Sequence, residues 1–327
     1  MTRPVTIFSG QWADLPFENF CEKAKSFGYE GIEIACCGDH LDLKKAATDL
    51  KYVEERKNIL KNYGLKVLAI GTHSIGKYVG DNGDSMLIDS VPSSFTGKPE
   101  EIRKWAAHEI KYAAAAAKNL GVKIITGFMG SPIWSYWYKI TEQMIDDGYK
   151  QIVKLWSPIF DEFDKSGIKF ALEVHPTEIA FDYYSAERLL KEFKNRKTLG
   201  FNFDPSHLFW QGISPHLFIR DFAKQIFHVH MKDTSVTLDG RAGILSSFLT
   251  FGDVRRGWNF RSLGHGDIDF ESIIRELNAI NYKGPLSVEC EDAGMNREAS
   301  AKESCEFVKN INFLTSDAAF DSASKTE

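Results

Sequence analysis

The sequence contains no Cys-x-x-Cys pair. Its five cysteines, Cys21, Cys36, Cys37, Cys290 and Cys305, are odd in number and scattered. That argues against a disulfide framework and a thiolate zinc site, and it suits a reducing compartment. No apolar run reaches the ~18 residues of a spanning helix, so no membrane partner is expected. Positive charge is not in excess: 40 Lys and Arg stand against 45 Asp and Glu, a net charge of −5 with a pI of about 6.0. Without a basic stripe, nucleic acid is a poor partner. Met1–Pro4 leads straight into the strand-like run Val5–Ser9, which leaves no room for a signal peptide and makes a cytoplasmic location the expectation. No linker divides the chain. No Gly-rich phosphate turn follows an early strand, which counts against an open doubly wound sheet.

What is present is alternation. Hydrophobic residues make up 43% and charged residues 26%, as in an ordinary globular protein. Strand-like runs fall at Val5–Ser9, Gly31–Ala35, Lys66–Ile70, Lys123–Gly127, Lys169–Val174, Leu199–Asp204, Ile226–His230 and Pro285–Glu289. Helical patterns follow at about Phe17–Phe27, Val53–Tyr63, Pro99–Leu120, Ile145–Phe163, Ser185–Phe193, His216–Phe222, Phe270–Ile280 and Arg297–Phe313. A glycine closes five of the helix-to-strand joints, at Gly28, Gly64, Gly121, Gly167 and Gly284, the residue type that caps a helix C-terminus. The run Ala113–Ala117 reads as helix propensity and close packing. Eight strand–helix units over this length predict a single-domain α/β protein, a (β/α)8 TIM barrel spanning residues 1–315, with 316–327 expected to be a disordered tail.

The chemistry concentrates at four strand ends. Leu199–His207, LGFNFDPSH, is an apolar run stopped by Pro205, with Asp204 at its end and His207 just beyond. Lys169–His175 ends in Glu173 and His175, Ile226–His230 in His228 and His230, and Pro285–Glu291 in Glu289 and Glu291. In a (β/α)8 barrel such ends share one mouth, so Glu173, Asp204, His230 and Glu289 would come from consecutive staves. Three carboxylates and one imidazole form a hard site for a divalent cation, Mn²⁺ foremost, with Mg²⁺, Co²⁺ and Zn²⁺ as alternatives. The competing explanation is four unrelated residues making local hydrogen bonds, and their coincidence on adjacent staves weighs against it.

The segments EVHPTE, NFDPSH, HVHMKD and SVECED resemble the strand ends of the xylose-isomerase-like TIM-barrel superfamily, which includes sugar isomerases, ketose 3-epimerases, inositol-pathway enzymes and endonuclease IV. The run from Leu172 to Met295 is similar to the bacterial sugar phosphate isomerase/epimerase branch, and the resemblance covers essentially the whole barrel. It implies metal ligation by Glu173, Asp204, His230 and Glu289, contact of His207 with substrate oxygens, and a homo-oligomer. Glu178 lies one position from a substrate-binding glutamate of the 3-epimerases. Those enzymes also carry an arginine shortly after the strand-7 histidine, where this chain reads MKDTSVTL, a departure that points away from a free ketose.

Such a site suits proton transfer beside a carbonyl. Glu173 and Glu289, facing opposite sides of one substrate carbon, would remove and return a proton through an enediolate, giving a sugar epimerase or isomerase. A leaving group β to the carbonyl would make the same intermediate a lyase or deglycosidase intermediate. The substrate would then be a 3-oxo-glycoside made by a partner sugar dehydrogenase. An endonuclease-IV-like nuclease would need more histidines and a basic groove, and a sugar-binding protein with a dead site would not need four ligands.

Further candidates for the substrate side are His175, Lys232, Asp233, His73, Arg255, Arg256, Arg261 and His265, with Glu33 near the pocket. The arginines and His265 lie in the stretch Phe251–Asp269, read as a long structureless loop of the kind that is often functional. Trp12, Trp134, Trp137 and Trp258 are placed in loops at the mouth as platforms for a sugar face. His228 is expected to turn to the other side of its strand from His230, and Cys36, Cys37 and Cys290 to be small buried fillers.

Overall fold

The computed structural model describes residues 2–82, 91, 95 and 97–316, so the expectation for the tail beyond Ser316 lies outside the described residues. Eight parallel strands close into a barrel: β1 (Val5–Phe8), β2 (Gly31–Ala35), β3 (Lys66–Gly71), β4 (Ile124–Gly127), β5 (Lys169–Glu173), β6 (Leu199–Phe203), β7 (Ile226–Met231) and β10 (Leu286–Val288). Each pairs with the next, and β10 returns to β1. The strands are short and buried on both faces, as expected of staves covered by helices. The covering helices include α1 (Phe17–Ser26), α3 (Leu50–Asn62), α5 (Pro99–Leu120), α6 (Glu142–Ser166), α7 (Tyr183–Glu192), α9 (Pro215–Asp221), α10 (Phe270–Ala279) and α11 (Arg297–Ile311). The small side chains Ala113, Ala114, Ala116 and Ala117 are buried, so α5 approaches its neighbours closely.

Gly28, Gly64, Gly121 and Gly167 end their helices with positive φ, as the sequence suggested. At the fifth joint Asn281, with φ 57°, takes that role instead of Gly284. Gly284 is needed for space, because a Cβ there would fall 2.3 Å from the Tyr282 hydroxyl.

Three short helices were not anticipated: α2 (Leu43–Thr48), α4 (His73–Gly80) and α8 (Pro205–Phe209). The stretch Phe251–Asp269 is not structureless. Within it β9 (Trp258–Arg261) pairs antiparallel with β8 (Asp233–Val236), Asp233 opposite Arg261 and Val236 opposite Trp258. This pair stands on the C-terminal end of β7. Among the described residues, no helix is long and apolar enough to cross a membrane.

Barrel interiors are usually filled by branched apolar side chains. Here a polar layer crosses the lumen. The Glu33 carboxylate accepts hydrogen bonds from His228 Nε2 at 2.8 Å, His230 Nε2 at 2.9 Å and Ser287 Oγ at 2.8 Å, and also from the Thr126 hydroxyl. Burial opposes its charge, but His230 and His228 hold this carboxyl well below its ordinary range. His228 therefore points the same way as His230, correcting the expectation that it turns away: residues two apart on a strand share a face.

Candidate metal centre and cavity

Glu173, Asp204, His230 and Glu289 converge at the C-terminal ends of β5, β6, β7 and β10, each buried, with one ligand-type atom apiece lying within 4.8 Å of the others. Each is aimed by its surroundings. Glu33 takes Nε2 of His230, which leaves Nδ1 toward Glu173 Oε2 at 3.2 Å and Glu289 Oε2 at 3.3 Å. Pro205 stops β6 and begins α8, so Asp204 becomes the helix N-cap. Its Oδ1 accepts from Ser206 N at 2.8 Å and Ser206 Oγ at 2.7 Å, freeing Oδ2 for the centre. Glu173 Oε2 meets His73 Nε2 and Asn202 Nδ2, each at 3.1 Å, and Oε1 meets His207 Nε2 at 3.3 Å. Glu289 Oε1 accepts from Gln11 Nε2, and Oε2 from Lys232 Nζ, both at 2.7 Å.

Two buried atoms, His230 Nδ1 and Asp204 Oδ2, make no well-formed hydrogen bond, although His230 Nδ1 faces Glu173 and Glu289 and Asp204 Oδ2 lies 3.2 Å from Lys232 Nζ. Such atoms are incompletely satisfied, and three clustered carboxylates also repel. A hard divalent cation bound by this donor set would satisfy both atoms and offset the repulsion, so the residues present fit one. Burial alone would raise Glu173, yet the facing imidazoles of His207 and His230 hold its carboxyl well below the ordinary value. Glu289 is likewise lowered against burial, by the charges of Lys232 and His230. Lys232 stays protonated: burial disfavours its charge, but Asp204, Glu289 and Glu291 raise it well above the usual lysine range.

Above this centre opens a cavity of about 650 Å³, of the size that takes small ligands. Glu173, Glu289, His73, His175 and Lys232 line it, and His207 lies just behind, its ring 4.1 Å from that of His175. Glu178 sits deeper, fully buried. It accepts from Met129 N at 2.9 Å and Gly130 N at 2.6 Å and pairs with Lys77 at 3.3 Å, so it braces the wall without lining it.

Several other residues expected on the substrate side do not line this cavity. Asp233 is buried and accepts from the amides of Thr234, Gly264, Gly266 and Ile268, pinning the loop after β9. Because β9 pairs with β8, the nearby cations turn outward. Arg255 bonds exposed to Asp253, Arg261 lies 3.7 Å from Asp292, and His265 reaches Glu303 at 3.3 Å. Arg256 lies over the rings of Phe251 and Trp258. Trp12 is fully buried against Phe20 and Phe27 beneath the Arg297 guanidinium, an apolar packing role and not a platform. Trp258 stacks on Trp210 with centroids 4.5 Å apart, and Trp137 is exposed, which leaves Trp134 on the cavity wall. Cys36 and Cys37 line the cavity and are not buried fillers.

Sequence reading missed Gln11, Asn202 and Lys77. Gln11 follows β1 in a loop without motif. Asn202 is betrayed only by its place two residues before Asp204, on the same face of β6. Lys77 lies on α4, a helix the sequence did not suggest.

The fold and site together define a closed parallel (β/α)8 barrel with a buried cluster of three carboxylates and one imidazole at its C-terminal mouth that could hold a divalent cation. The chain belongs to the xylose isomerase-like TIM barrel family, whose pattern matches residues 21–311. It is 24% identical to an uncharacterized protein, YfiH of Bacillus subtilis, over 90% of this chain and 95% of that one. It is 29% identical to inosose dehydratase of Clostridium beijerinckii, over 61% and 67% respectively. Two solved structures share the fold at a TM-score of 0.66, each over 94% of this chain and 99% of the other. They are the probable 3-DHS dehydratase AsbF of Bacillus anthracis, 19% identical, and the 3-keto-D-glucoside 4-epimerase YcjR of E. coli, 16% identical.

Proposed function

We propose that this protein is a divalent-metal-dependent sugar epimerase or isomerase that moves a proton beside a carbonyl. The observation that carries this reading is the cluster of Glu173, Asp204, His230 and Glu289 at the floor of the cavity, with two of its buried ligand-type atoms making no well-formed hydrogen bond. These four residues would hold the cation, and Mn²⁺ is our choice for it. When bound, the cation supplies charge to a developing oxyanion.

The chain's own groups do the remainder. Glu173 and Glu289 flank the space above His230 Nδ1, at 3.2 and 3.3 Å from it, and both reach the cavity. One removes the proton next to the carbonyl to give an enediolate and the other returns it. Return to the same carbon gives an epimer, and to its neighbour an isomer. His207 and Lys232 position Glu173 and Glu289 at 3.3 and 2.7 Å, and His73 and Asn202 keep Glu173 in one orientation.

A second reading is favoured by the 29% identity to a protein named inosose dehydratase. A leaving group β to the carbonyl would be expelled from the same enediolate, making the enzyme a lyase on a 3-oxo-glycoside or related ketone. A sugar dehydrogenase would supply that ketone. The five cysteines, which form no disulfide, accord with the cytoplasmic location we propose. Solvent deuterium exchange followed by NMR, with Mn²⁺ and then with chelator, on ketohexoses, their phosphates and 3-oxo-glucosides tests both readings. Metal-dependent exchange beside the carbonyl is expected, and the product separates epimerase, isomerase and lyase. Absence of exchange on every substrate in a metal-loaded protein refutes both.

A further inference from the structure

The cavity extends well past the metal centre, and α4 measures how far. Its first residue, His73, touches Glu173 at 3.1 Å. Lys77 lies one turn further along and Asp81 two, about 6 and about 12 Å by the helical rise. All three line the same cavity. A single pyranose seated over Glu173 and Glu289 would leave the far end unfilled.

That far end is built. Lys77 Nζ bonds Thr177 Oγ1 at 2.8 Å, pairs with Glu178 at 3.3 Å and approaches Asp81 at 4.0 Å. Asp81 Oδ1 accepts from Ser131 N at 3.1 Å, and Ser131 Oγ accepts from Trp134 N at 3.1 Å, which ties the Trp134 loop to the end of α4. Thr177 carries φ 84°, a strained conformation for a β-branched residue. Such strain, persisting where the surroundings over-determine it, is characteristic of ligand-contacting sites. Here it holds the Thr177 hydroxyl against Lys77 at the cavity wall. Trp134 and Phe128 add aromatic faces.

The charges exclude one class of occupant. Among the described residues, the only Lys or Arg side chains lining the cavity are Lys77 and Lys232, and each is paired with carboxylates. Residues 83–90, 92–94 and 96 contain no Lys or Arg in the sequence. Asp81, Glu173, Glu289 and Glu291 also line the cavity, so its wall holds more acids than bases. A phosphate there would meet no uncommitted cation and would be repelled. The first turn of α4 is a source of positive potential, but through His73 it lies against Glu173 at the metal end.

We infer that the half of the cavity bounded by Lys77, Asp81, Ser131, Trp134 and Thr177 is a subsite for an uncharged polyhydroxylated or aromatic group, a second sugar ring or glycosidic aglycone. The substrate is then a neutral glycoside and not a sugar phosphate. This rests on the carbohydrate reading of the metal centre and specifies its substrate class.

Calorimetric titration of the Mn²⁺-loaded protein with D-glucose, glucose 6-phosphate, cellobiose and phenyl β-D-glucoside tests it. Cellobiose and phenyl glucoside are expected to bind about tenfold more tightly than glucose, and glucose 6-phosphate no more tightly than glucose. Trp134→Ala should remove the gain and leave glucose affinity in place. The pair Lys77→Met with Glu178→Gln, which removes both members of the buried ion pair, should reduce the gain as well. Tighter binding of glucose 6-phosphate, equal or undetectable binding of the two glycosides, or a gain that survives Trp134→Ala overturns the subsite. The proton-transfer reading fails separately: a two-ring preference with no deuterium exchange on any 3-oxo-glycoside keeps the subsite and removes the chemistry. Exchange on free ketoses without that preference does the reverse.

Discussion

Glu173 and Glu289 have unlike surroundings although both border one space. Both face His230, but Glu173 also meets the imidazoles of His73 and His207, whereas Glu289 meets the Lys232 ammonium and the Gln11 amide. Glu173→Gln or Glu289→Gln keeps shape and removes the base, so exchange activity should drop by about 10²–10⁴-fold with an unchanged circular dichroism spectrum. Full activity in either variant would remove that residue from the acid–base role. Glu33 lies beneath, without reach to the substrate, and sets which nitrogen His230 presents. Glu33→Gln should weaken metal affinity about 10–100-fold, read by competition with a chromogenic chelator. Unaltered affinity would mean that His230 is oriented without it.

At the scale of elements, one helix borrows its N-terminal cap from a distant part of the chain. α1 starts after Pro16, which offers no side-chain cap, and the amide of Phe17 is met instead by Asp39 Oδ2 at 3.0 Å, with Arg56 on the other oxygen at 3.1 Å. The Phe17 amide and, against burial, Arg56 lower the Asp39 carboxyl from its ordinary value. A lowered folded-state value means stability that is present above the unfolded pKa, about 3.9, and is lost as pH falls through the folded value. Asp39→Ala should cost about 1 kcal/mol at pH 7, kept modest by the exposure of the pair, and less at pH 3. Thermal unfolding at both pH values checks this, and an equal loss at both would assign the effect to packing. The β8–β9 pair illustrates the converse: Asp233, a plausible substrate contact on sequence grounds, is used to fasten the loop that follows β9.

At the scale of the molecule, the barrel's strand ends meet at the candidate metal centre. Four staves, β5, β6, β7 and β10, each offer one ligand-type side chain, so a bound cation would tie them together and its removal would leave three carboxylates facing one another. Chelation should abolish exchange activity and lower the melting temperature by a few degrees, corresponding to about 3 kcal/mol for a cation at a hundred times its dissociation constant. Readdition of Mn²⁺ should restore both. A melting temperature indifferent to chelator, together with no metal in elemental analysis, would refute the centre.

The order of elements was legible in the sequence because each stave is a short, largely apolar run and most helices carry their own period and end signals. The helix Pro99–Leu120 is found at the limits its pattern suggested, and all eight staves lie within a residue or two of expectation. The four donors were legible because a polar residue closing an apolar strand has few packing explanations, and barrel topology then gathers such ends. Much of the rest depended on contacts between distant segments. That Glu33 underlies His230, that Asp39 caps α1, that Trp12 is core and that the arginines after Phe251 turn away are products of closure and of β8–β9 pairing, which separate residues by tens to hundreds of positions. The direction of His228 is different, since strand period alone puts it beside His230. The sequence by itself determined which chemistry could occur at the mouth. Only the tertiary structure decided which side chains face the cavity, because facing depends on partners that no local pattern encodes.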